Sequence, residues 1–269
     1  MIIQKKFHHS KFYNEENVEI YKDTLLKATQ YNAGATELFR LGDHSSGNEP
    51  IREGNVKVIE ADSVTAMTLF ANTKVAILNM ASAKRPGGGV ASGSKAQEES
   101  LFRCSNLALS ISQEFYPLRE DEFLYTRNAV FFKDVMYNDM EFAIEADVIT
   151  CAAINLNDNA IYGYFGREVN TDNVLDDPEY VRLTNKKIAS IITIAIKHGV
   201  ENLILGAWGC GVFKNDPNFI AQTFYQNLKI NDRYKHFDNV IFALINDKNS
   251  TANNVEAFKK HVKEIKKNK

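Results

Sequence analysis

The sequence predicts an α/β fold in which a mainly parallel β-sheet is covered by helices on both faces. Short apolar runs with the length of buried strands alternate with segments of helical periodicity along most of the 269 residues. Two of these runs open directly into glycine-rich loops, which is typical of a ligand crevice at the carboxyl ends of parallel strands. No internal repeat or change of composition indicates a second domain, so we predict a single domain over residues 1–269.

The predicted elements alternate in order along the chain. Residues 14–31 have helical periodicity, and residues 32–55 are polar and predict a connector. Strands are predicted at residues 56–62, 75–79, 129–132, 146–155, 202–207 and 239–247, and helices at residues 63–72, 97–114, 185–198, 218–228 and 253–267. Residues 157–178, rich in Asn, Asp and Gly, predict a long loop.

Composition argues against several classes of protein. The formal net charge of −2 provides no global field to attract nucleic acid or an anionic membrane, and no apolar run approaches the roughly 18 residues of a membrane helix. The N-terminal residues lack the apolar core of a signal peptide, and the three cysteines are widely spaced. We therefore expect a reduced, cytoplasmic monomer that binds no nucleic acid and no membrane. The six histidines lack ligand spacing, so we assign no metal site and no cofactor.

Two glycine loops are the strongest functional signal. After the apolar run at residues 75–79 come Gly87, Gly88 and Gly89, and then Glu98 and Glu99 in the first turn of a predicted helix. The second loop, residues 206–213, also follows an apolar strand. Glycine lets backbone N–H groups approach a ligand closely, and a helix N-terminus attracts anions, so the two loops predict a phosphate or diphosphate cradle. The alternative is that the glycines only form tight turns and the glutamates only stabilise the helix start.

Two common nucleotide motifs do not fit the first loop. A P-loop needs Lys directly after its last glycine and then Ser or Thr, but here Ser94 separates Gly93 from Lys95, and Ala96 follows. The dinucleotide pattern GxGxxG is absent as well, because GGGVAS lacks its spacing. The loop is therefore expected to bind a nucleotide-like ligand by a motif other than the P-loop or the dinucleotide pattern.

The residues around these loops resemble a known family. PGGG at residues 86–89, followed by QEES at residues 97–100, resembles the signature of poly(ADP-ribose) glycohydrolases. The segments NMASAKRPGGG, LYTRNAVFFKD, VITCAAIN and LGAWGCGVFKNDP resemble the microbial type, and the similarity extends in order over nearly the whole chain. The resemblance implies a three-layer α/β/α macrodomain-like fold with a mixed, mostly parallel sheet. It also implies that residues 1–55 form an N-terminal helical extension packed on it, and that ADP-ribose or poly(ADP-ribose) is the ligand.

The resemblance also implies roles for the residues of the first loop. Glu99 matches the catalytic acid/base, Glu98 the residue that orients the ribose, and Gln97 a support of the loop. Gly87, Gly88 and Gly89 would approach the ribose and the diphosphate. Asn79 would contact the distal ribose, for which an ordinary turn asparagine is the alternative.

For the second loop, the resemblance implies diphosphate binding by backbone amides. These belong to Gly209, Cys210, Gly211 and Val212. Phe213 would pack on the distal ribose or, alternatively, in the core. Asp62 would contact the adenine amino group or, equally, cap a helix. Lys214 stands where many relatives have glycine, which leaves the closure of this loop open.

The predicted activity is hydrolysis of ribose–ribose O-glycosidic bonds, releasing ADP-ribose from chain ends as the microbial type implies. One alternative is a non-catalytic ADP-ribose-binding macrodomain. Another is a hydrolase of a different ADP-ribose derivative, such as a mono-ADP-ribosylated protein or a signalling nucleotide. The presence of both Glu98 and Glu99 favours an enzyme, because glycoside hydrolysis needs a proton donor and a reader does not.

Overall fold

The computed structural model describes residues 14–42, 52–157, 170–245 and 254–267. Within these ranges the strands are β1 Ala35–Arg40, β2 Asn55–Ile59, β3 Val75–Met80, β4 Glu122–Lys133, β5 Asp139–Cys151, β6 Asn202–Leu205 and β7 Asn239–Ala243. The α-helices are α1 Glu15–Ala28, α2 Ser63–Thr68, α3 Gln97–Cys104, α4 Leu107–Ser110, α5 Pro178–Lys197, α6 Pro217–Lys229 and α7 Asn254–Lys267. Short 3₁₀ turns occur at Val90–Ser92, Gln113–Phe115, Thr171–Asp176 and Ile230–His236.

The seven strands of the described chain form one mixed sheet in the order β1-β4-β5-β3-β6-β7-β2. The strands β5, β3, β6, β7 and β2 are mutually parallel, whereas β4 runs antiparallel to both β5 and β1. Parallel strands end at one edge of a sheet, and ligands bind where the loops leave that edge. The central position of β3 therefore places the first glycine loop in the middle of this edge.

The two faces of the sheet carry separate cores, and β3 contributes to both. Ala76 and Leu78 pack with apolar residues of α5, α6 and α7 on one face. Val75 and Ile77 pack with residues of α2, α3 and α4 on the other. Side chains alternate along a strand, so an uninterrupted apolar run is what a strand covered on both sides requires. This arrangement confirms the predicted three-layer α/β/α fold with a mostly parallel sheet.

The predicted connector at residues 32–55 was wrong in part, because β1 lies within it. Among the described strands, β1 pairs only with β4, at the edge of the sheet, and most of its side chains are exposed. An exposed edge strand buries little apolar surface and so lacks the apolar run by which the other strands are recognised. Residues 43–51 of the connector lie outside the described residues.

The single helix predicted over residues 97–114 was also wrong, since it is interrupted after Cys104. Ser105 is extended and forms a bridge with Phe131 of β4. The buried Asn106 accepts a hydrogen bond from the Val130 backbone N–H at 2.8 Å and donates from Nδ2 to the backbone oxygen of Asn32, also at 2.8 Å. These bonds to distant segments take the place of helical hydrogen bonds.

Other boundaries differ from the predictions in length. β4 begins at Glu122, well before the predicted residues 129–132, and β5 begins at Asp139, before the predicted residues 146–155, because the two strands form one long antiparallel pair. β5 also ends at Cys151, earlier than predicted. α5 begins at Pro178, seven residues before the predicted start at residue 185, with Asp177 as its N-cap. Part of the predicted loop at residues 157–178, and the end of the strand predicted at residues 239–247, lie outside the described residues. No helix in the described ranges is long and apolar enough to cross a membrane.

The buried side chain of Leu203 on β6 leads to a prediction about stability. Leu203 is fully buried in the core beneath α5, so truncation in Leu203→Ala should lower the free energy of unfolding by about 3 kcal/mol through lost burial and a residual cavity. Leu26 on α1 is 73% exposed, so Leu26→Ala should change it by less than about 0.5 kcal/mol. Urea unfolding of both variants measures the difference, and equal losses would contradict the described core.

Candidate active site

The first glycine loop is tied to the sheet by the side chain of Gln97. β3 pairs with β6 only as far as Ile77, which leaves the last backbone groups of β3 without a strand partner on that side. Gln97, the first residue of α3, accepts a hydrogen bond from the Met80 N–H at 2.9 Å and donates to the Leu78 oxygen at 2.8 Å. The start of α3 is thereby held against the end of β3, next to the position of Glu98 and Glu99.

Glu98 lies in a pocket of hydrogen-bond donors. Its side chain is buried; Oε2 accepts from the Ser82 N–H at 2.7 Å, and Oε1 accepts from the Gly87 N–H at 3.2 Å and Asn79 Nδ2 at 3.4 Å. The pKa of Glu98 is raised from 4.5 to about 8, mainly by burial and also by the charge of Glu99, while the three hydrogen bonds oppose the rise. Glu98 is therefore oriented rigidly and holds a proton more tightly than an ordinary glutamate.

Glu99 is held by the glycine loop. Its Oε1 accepts a hydrogen bond from the Gly89 N–H at 2.8 Å, and the residue is buried. At Gly88, which has a φ of +53°, a Cβ atom would lie 2.7 Å from Glu99 Oε1 and 2.9 Å from Glu98 Oε2. Only glycine accommodates both the positive φ and this close approach. The glycine loop thus packs closely around the side chains of Glu98 and Glu99. The predicted approach of Gly87, Gly88 and Gly89 to the ribose and the diphosphate stays a prediction.

Two buried polar atoms at this site have no hydrogen-bond partner among the described residues. They are Asn79 Oδ1 and Glu99 Oε2. Asn79 is fully buried, and its Nδ2 donates to Thr150 Oγ1 at 3.3 Å as well as to Glu98. Buried polar groups in native proteins are nearly always paired, so these two acceptors are candidates for hydrogen bonds from a ligand. Hydroxyl groups of a sugar have the required chemistry.

The second glycine loop leaves the sheet next to the first. It follows β6, the neighbour of β3, and a Cβ on Gly206 would lie 3.0 Å from the Cε atom of Met80. Trp208 is fully buried, and its Nε1 donates to the Cys151 oxygen at the end of β5 at 2.8 Å. This bond ties the second loop to the strand on the far side of β3, so both loops flank one strand end.

Asn215 closes the second loop from inside. Its Nδ2 lies within hydrogen-bond distance of three backbone oxygens, those of Ile154 at 2.8 Å, Gly209 at 3.0 Å and Phe213 at 3.3 Å. Its Oδ1 accepts from the Tyr180 hydroxyl at 2.8 Å. Because Asn215 is buried and its amide is saturated, it fixes the path of residues 209–215.

The closed loop contains backbone donors that have no partner within the described ranges. Lys214 adopts a φ of +60°, and its N–H donates to the Gly211 oxygen at 2.9 Å, so the loop closes with lysine at this position. The carbonyls of Val212 and Phe213 accept from Asn157 Nδ2 and the Leu156 N–H. The N–H groups of Gly211, Val212 and Phe213 have no partner among the described residues. Consecutive N–H groups without partners can bind an anion.

Three other predicted residues have identified environments. Asp62 caps α2, accepting from the Thr65 N–H at 2.9 Å, which is the alternative role weighed for it. Cys210 is buried, and burial raises the pKa of its thiol well above the usual range, so the thiol stays protonated. Phe213 is half-buried against the core cluster of α5. Adenine contact by Asp62, amide donation by Cys210 and Gly209, and ribose contact by Phe213 stay predictions.

Several residues of this region were missed by sequence reasoning. Ser82 donates to Glu98, and Trp208, Tyr180 and Asn215 shape the second loop. Tyr116 has a buried hydroxyl without a partner among the described residues, and burial and the charge of Glu98 raise its pKa. Trp208 and Asn215 lie within the glycine-rich segment LGAWGCGVFKNDP, so their position in the sequence could have identified them. Ser82, Tyr116 and Tyr180 reach the site only in the folded chain, so no local pattern indicates them. No group of three or more His, Cys, Asp or Glu side chains in the described ranges is placed to hold a metal.

The sequence matches a family model described as "Microbial-type PARG, catalytic domain" over residues 4–138, about half of the chain. This match includes both the triple glycine and the residues Gln97, Glu98 and Glu99. Two buried carboxylates held in a glycine loop, within the matched residues, therefore define a glycohydrolase-type site. The chain belongs to the microbial-type poly(ADP-ribose) glycohydrolase (PARG) family, as the resemblance indicated.

Solved structures of PARG proteins share the fold. The enzyme of Thermomonospora curvata bound to the inhibitor ADP-HPD is 26% identical, with a TM-score of 0.73 and coverage of 92% of this chain and 99% of that chain. A second structure of that enzyme is 27% identical, covering 92% and 100% with a TM-score of 0.71. The Deinococcus radiodurans enzyme in complex with ADP-ribose is 24% identical, covers 90% and 97%, and shows the same fold with a TM-score of 0.71. No curated protein gives a significant match.

The buried Glu98 predicts a specific dependence of stability on pH. Folded Glu98 keeps its proton up to about pH 8, whereas the unfolded chain releases it near pH 4.5, so its contribution to stability is fully present below pH 4.5 and is lost as the pH rises towards 8. Glu98→Gln cannot titrate, so its free energy of unfolding should fall less over this range than that of the wild type, by a few kcal/mol.

Urea unfolding at pH 5, 6, 7 and 8 measures this difference. The exposed Glu114 provides a matched control, because Glu114→Gln should follow the wild-type dependence. If Glu98→Gln and the wild type lost stability in parallel, the raised pKa of Glu98 would be refuted.

Proposed function

We propose that this protein is a poly(ADP-ribose) glycohydrolase that hydrolyses the ribose–ribose O-glycosidic bond and releases ADP-ribose, with Glu99 as the general acid/base. Membership of the microbial-type PARG family supports the activity. The observation that carries the assignment of Glu99 is its carboxylate, fixed through Oε1 by the Gly89 N–H, with Oε2 buried and free of partners among the described residues. A carboxylate held by one oxygen presents the other to a substrate.

The reaction needs one proton delivered and one removed. Protonated Glu99 donates its proton to the oxygen of the leaving ribose as the bond from the anomeric carbon to that oxygen breaks. The resulting Glu99 carboxylate then takes a proton from water, whose oxygen forms the new bond to the anomeric carbon. The transition state resembles an oxocarbenium ion, so nearby negative charge lowers its energy.

The environments of Glu98 and Asn79 support a role for both side chains in binding the ribose. The Glu98 carboxyl is fixed by Ser82 and Gly87, and its raised pKa lets it serve as a hydrogen-bond donor or acceptor to a sugar hydroxyl near neutral pH. Asn79 Oδ1 requires a donor, which a ribose hydroxyl would supply. Both side chains are buried and linked to each other, so they would orient the sugar ring toward Glu99.

The second loop supports binding of the diphosphate. The N–H groups of Gly211, Val212 and Phe213, which have no partner in the described part of the chain, match the acceptor oxygens of an anion. With formal charges on the protein nearly balanced, the diphosphate is then recognised by local geometry. Held there, its negative charge would also stabilise the developing positive charge on the ribose.

Further properties rest on the family resemblance and on composition. Attack at chain ends is the mode that the resemblance implies. We also propose a cytoplasmic monomer without nucleic-acid or membrane partners. The three cysteines, Cys104, Cys151 and Cys210, are all free and buried, which fits a reducing compartment.

Glu99→Gln tests the proposed chemistry. The amide keeps the size of the side chain and one acceptor oxygen but cannot donate an acidic proton, so kcat on labelled poly(ADP-ribose) should fall about 10²–10⁴-fold while the Kd for ADP-ribose changes by less than about threefold. Glu114→Gln, on the surface, serves as the matched control and should retain wild-type turnover.

The same assay separates the alternatives. Equal turnover by wild type and Glu99→Gln would exclude Glu99 as the acid. A wild type that binds ADP-ribose without turnover would be a reader. Release of ADP-ribose only from a mono-ADP-ribosylated protein, or cleavage only of a smaller nucleotide derivative, would support the third function.

Asn215→Asp tests the diphosphate site. The change replaces the Nδ2 donor by an oxygen that faces three backbone oxygens, so the loop should open and the Kd for ADP-ribose should rise about tenfold or more. The exposed Asn218 gives a matched control in Asn218→Asp, for which the Kd should stay within about twofold. Isothermal titration with ADP-ribose measures both, and unchanged affinity in Asn215→Asp would remove this loop from the binding site.

A further inference from the structure

The N-terminal helix α1 lies directly against the outer end of the glycine loop. The backbone N–H of Asn14 donates to the Ser92 oxygen at 3.3 Å, and Nδ2 of Asn17 donates to the Gly93 oxygen at 2.9 Å. Asn17 is buried although it lies in the first turn of a surface helix. The start of a helix does not require this hydrogen bond to a loop carbonyl 76 residues away. The bond is therefore a tertiary contact that holds the helix against the loop.

The start of α1 is itself well fixed. Asn14 is the N-cap, and its Oδ1 accepts from the Asn17 N–H at 2.9 Å. Further along the helix, Thr24 Oγ1 donates to the Arg103 backbone oxygen of α3 at 2.7 Å, and Asp23 pairs with the buried Lys133 of β4 at 2.6 Å. α1 is therefore anchored to α3 and to the sheet, so its position does not depend on the glycine loop alone.

A series of hydrogen bonds within the loop links this contact to Glu99. The N–H groups of Ser92 and Ser94 both donate to the Gly89 oxygen, at 3.0 and 3.2 Å. The N–H of the same Gly89 donates to Glu99 Oε1 at 2.8 Å. On the other side, the fully buried guanidinium of Arg103 donates to the Ser94 oxygen. The position of residues 92–94 thus determines where Gly89, and with it the Glu99 carboxylate, is held.

We propose that α1 is a brace for the catalytic loop and that Asn17 is the positioning residue through which it acts on Glu99. The inference rests on the proposed role of Glu99 in the reaction. Asn17 does not touch the reacting groups; it keeps residues 92–94 in place so that the Gly89 N–H meets Glu99. Misplacement of a catalytic group by about 1 Å can cost on the order of 10²-fold in rate, so a loosened brace acts on kcat.

Asn17→Ala removes the amide and leaves a good helix former. We expect kcat on poly(ADP-ribose) to fall about tenfold, with KM and the Kd for ADP-ribose within about twofold. Amide hydrogen exchange in residues 87–94 should be faster, whereas exchange in β3 should be unchanged. Glu19→Ala, on the exposed face of the same helix, is the matched control and should change neither kcat nor exchange.

Gly93→Ala tests the brace from the other side. Gly93 has a φ of +82°, and a Cβ there would collide with the backbone oxygen of Asn14, forcing α1 away from the loop. Gly199 has a φ of +66° with nothing within 4 Å of its Cβ position, so Gly199→Ala carries the same backbone strain without the collision. Gly93→Ala should reproduce the kinetic and exchange changes of Asn17→Ala, and Gly199→Ala should reproduce neither.

The outcomes separate the brace from the proposed function. Unchanged kcat in Asn17→Ala and Gly93→Ala, or faster exchange spread evenly over the whole chain, would overturn the brace. If the wild type itself fails to turn over poly(ADP-ribose), the proposed function fails. Amide hydrogen exchange in residues 87–94 then tests the brace alone. Faster exchange confined to these residues in Asn17→Ala and Gly93→Ala would support the brace, and unchanged exchange there would overturn it.

Discussion

The carboxylates of Glu98 and Glu99 occupy the space that a side chain at Gly88 would need. A Cβ there would come within 2.9 Å of both groups, so the loop can wrap around the two acids only because it carries no side chain at this point. Burying acidic side chains is costly unless they are hydrogen-bonded, and here backbone N–H groups of Ser82, Gly87 and Gly89 supply bonds that offset part of that cost. The rest of the site depends on this enclosure.

The sheet places that enclosure where a ligand can reach it. β3 lies near the centre of the sheet and is packed on both faces, so its carboxyl end is well supported. Gln97 continues the pairing of β3 beyond the point at which β6 diverges, and the loop after β6 is closed by Asn215. Two loops from adjacent strands are thereby held at fixed positions, one with the two acids and one with backbone N–H groups that have no partner in the described part of the chain.

Local patterns predicted the features that depend on local chemistry. The apolar run of β3 and the glycine spacing before Glu98 and Glu99 indicated the layered sheet and the acidic loop. Features set by distant contacts escaped prediction. β1 is an exposed edge strand without an apolar run, and the helix break at Asn106 follows from its bonds to Asn32 and Val130. The role of Asn215 follows from backbone oxygens that only the folded loop brings together.

The central claim is that Glu99 Oε2 meets the reacting end of the sugar while Glu98 and Asn79 hold its hydroxyls. A crystal structure of the wild-type protein with ADP-ribose measures this directly. The account predicts Glu99 Oε2 within about 2.6–3.2 Å of the hydroxyl on the anomeric carbon of the distal ribose, with the diphosphate on the amides of Gly211, Val212 and Phe213. A distal ribose that lies away from Glu99, or a diphosphate bound outside this loop, would contradict it.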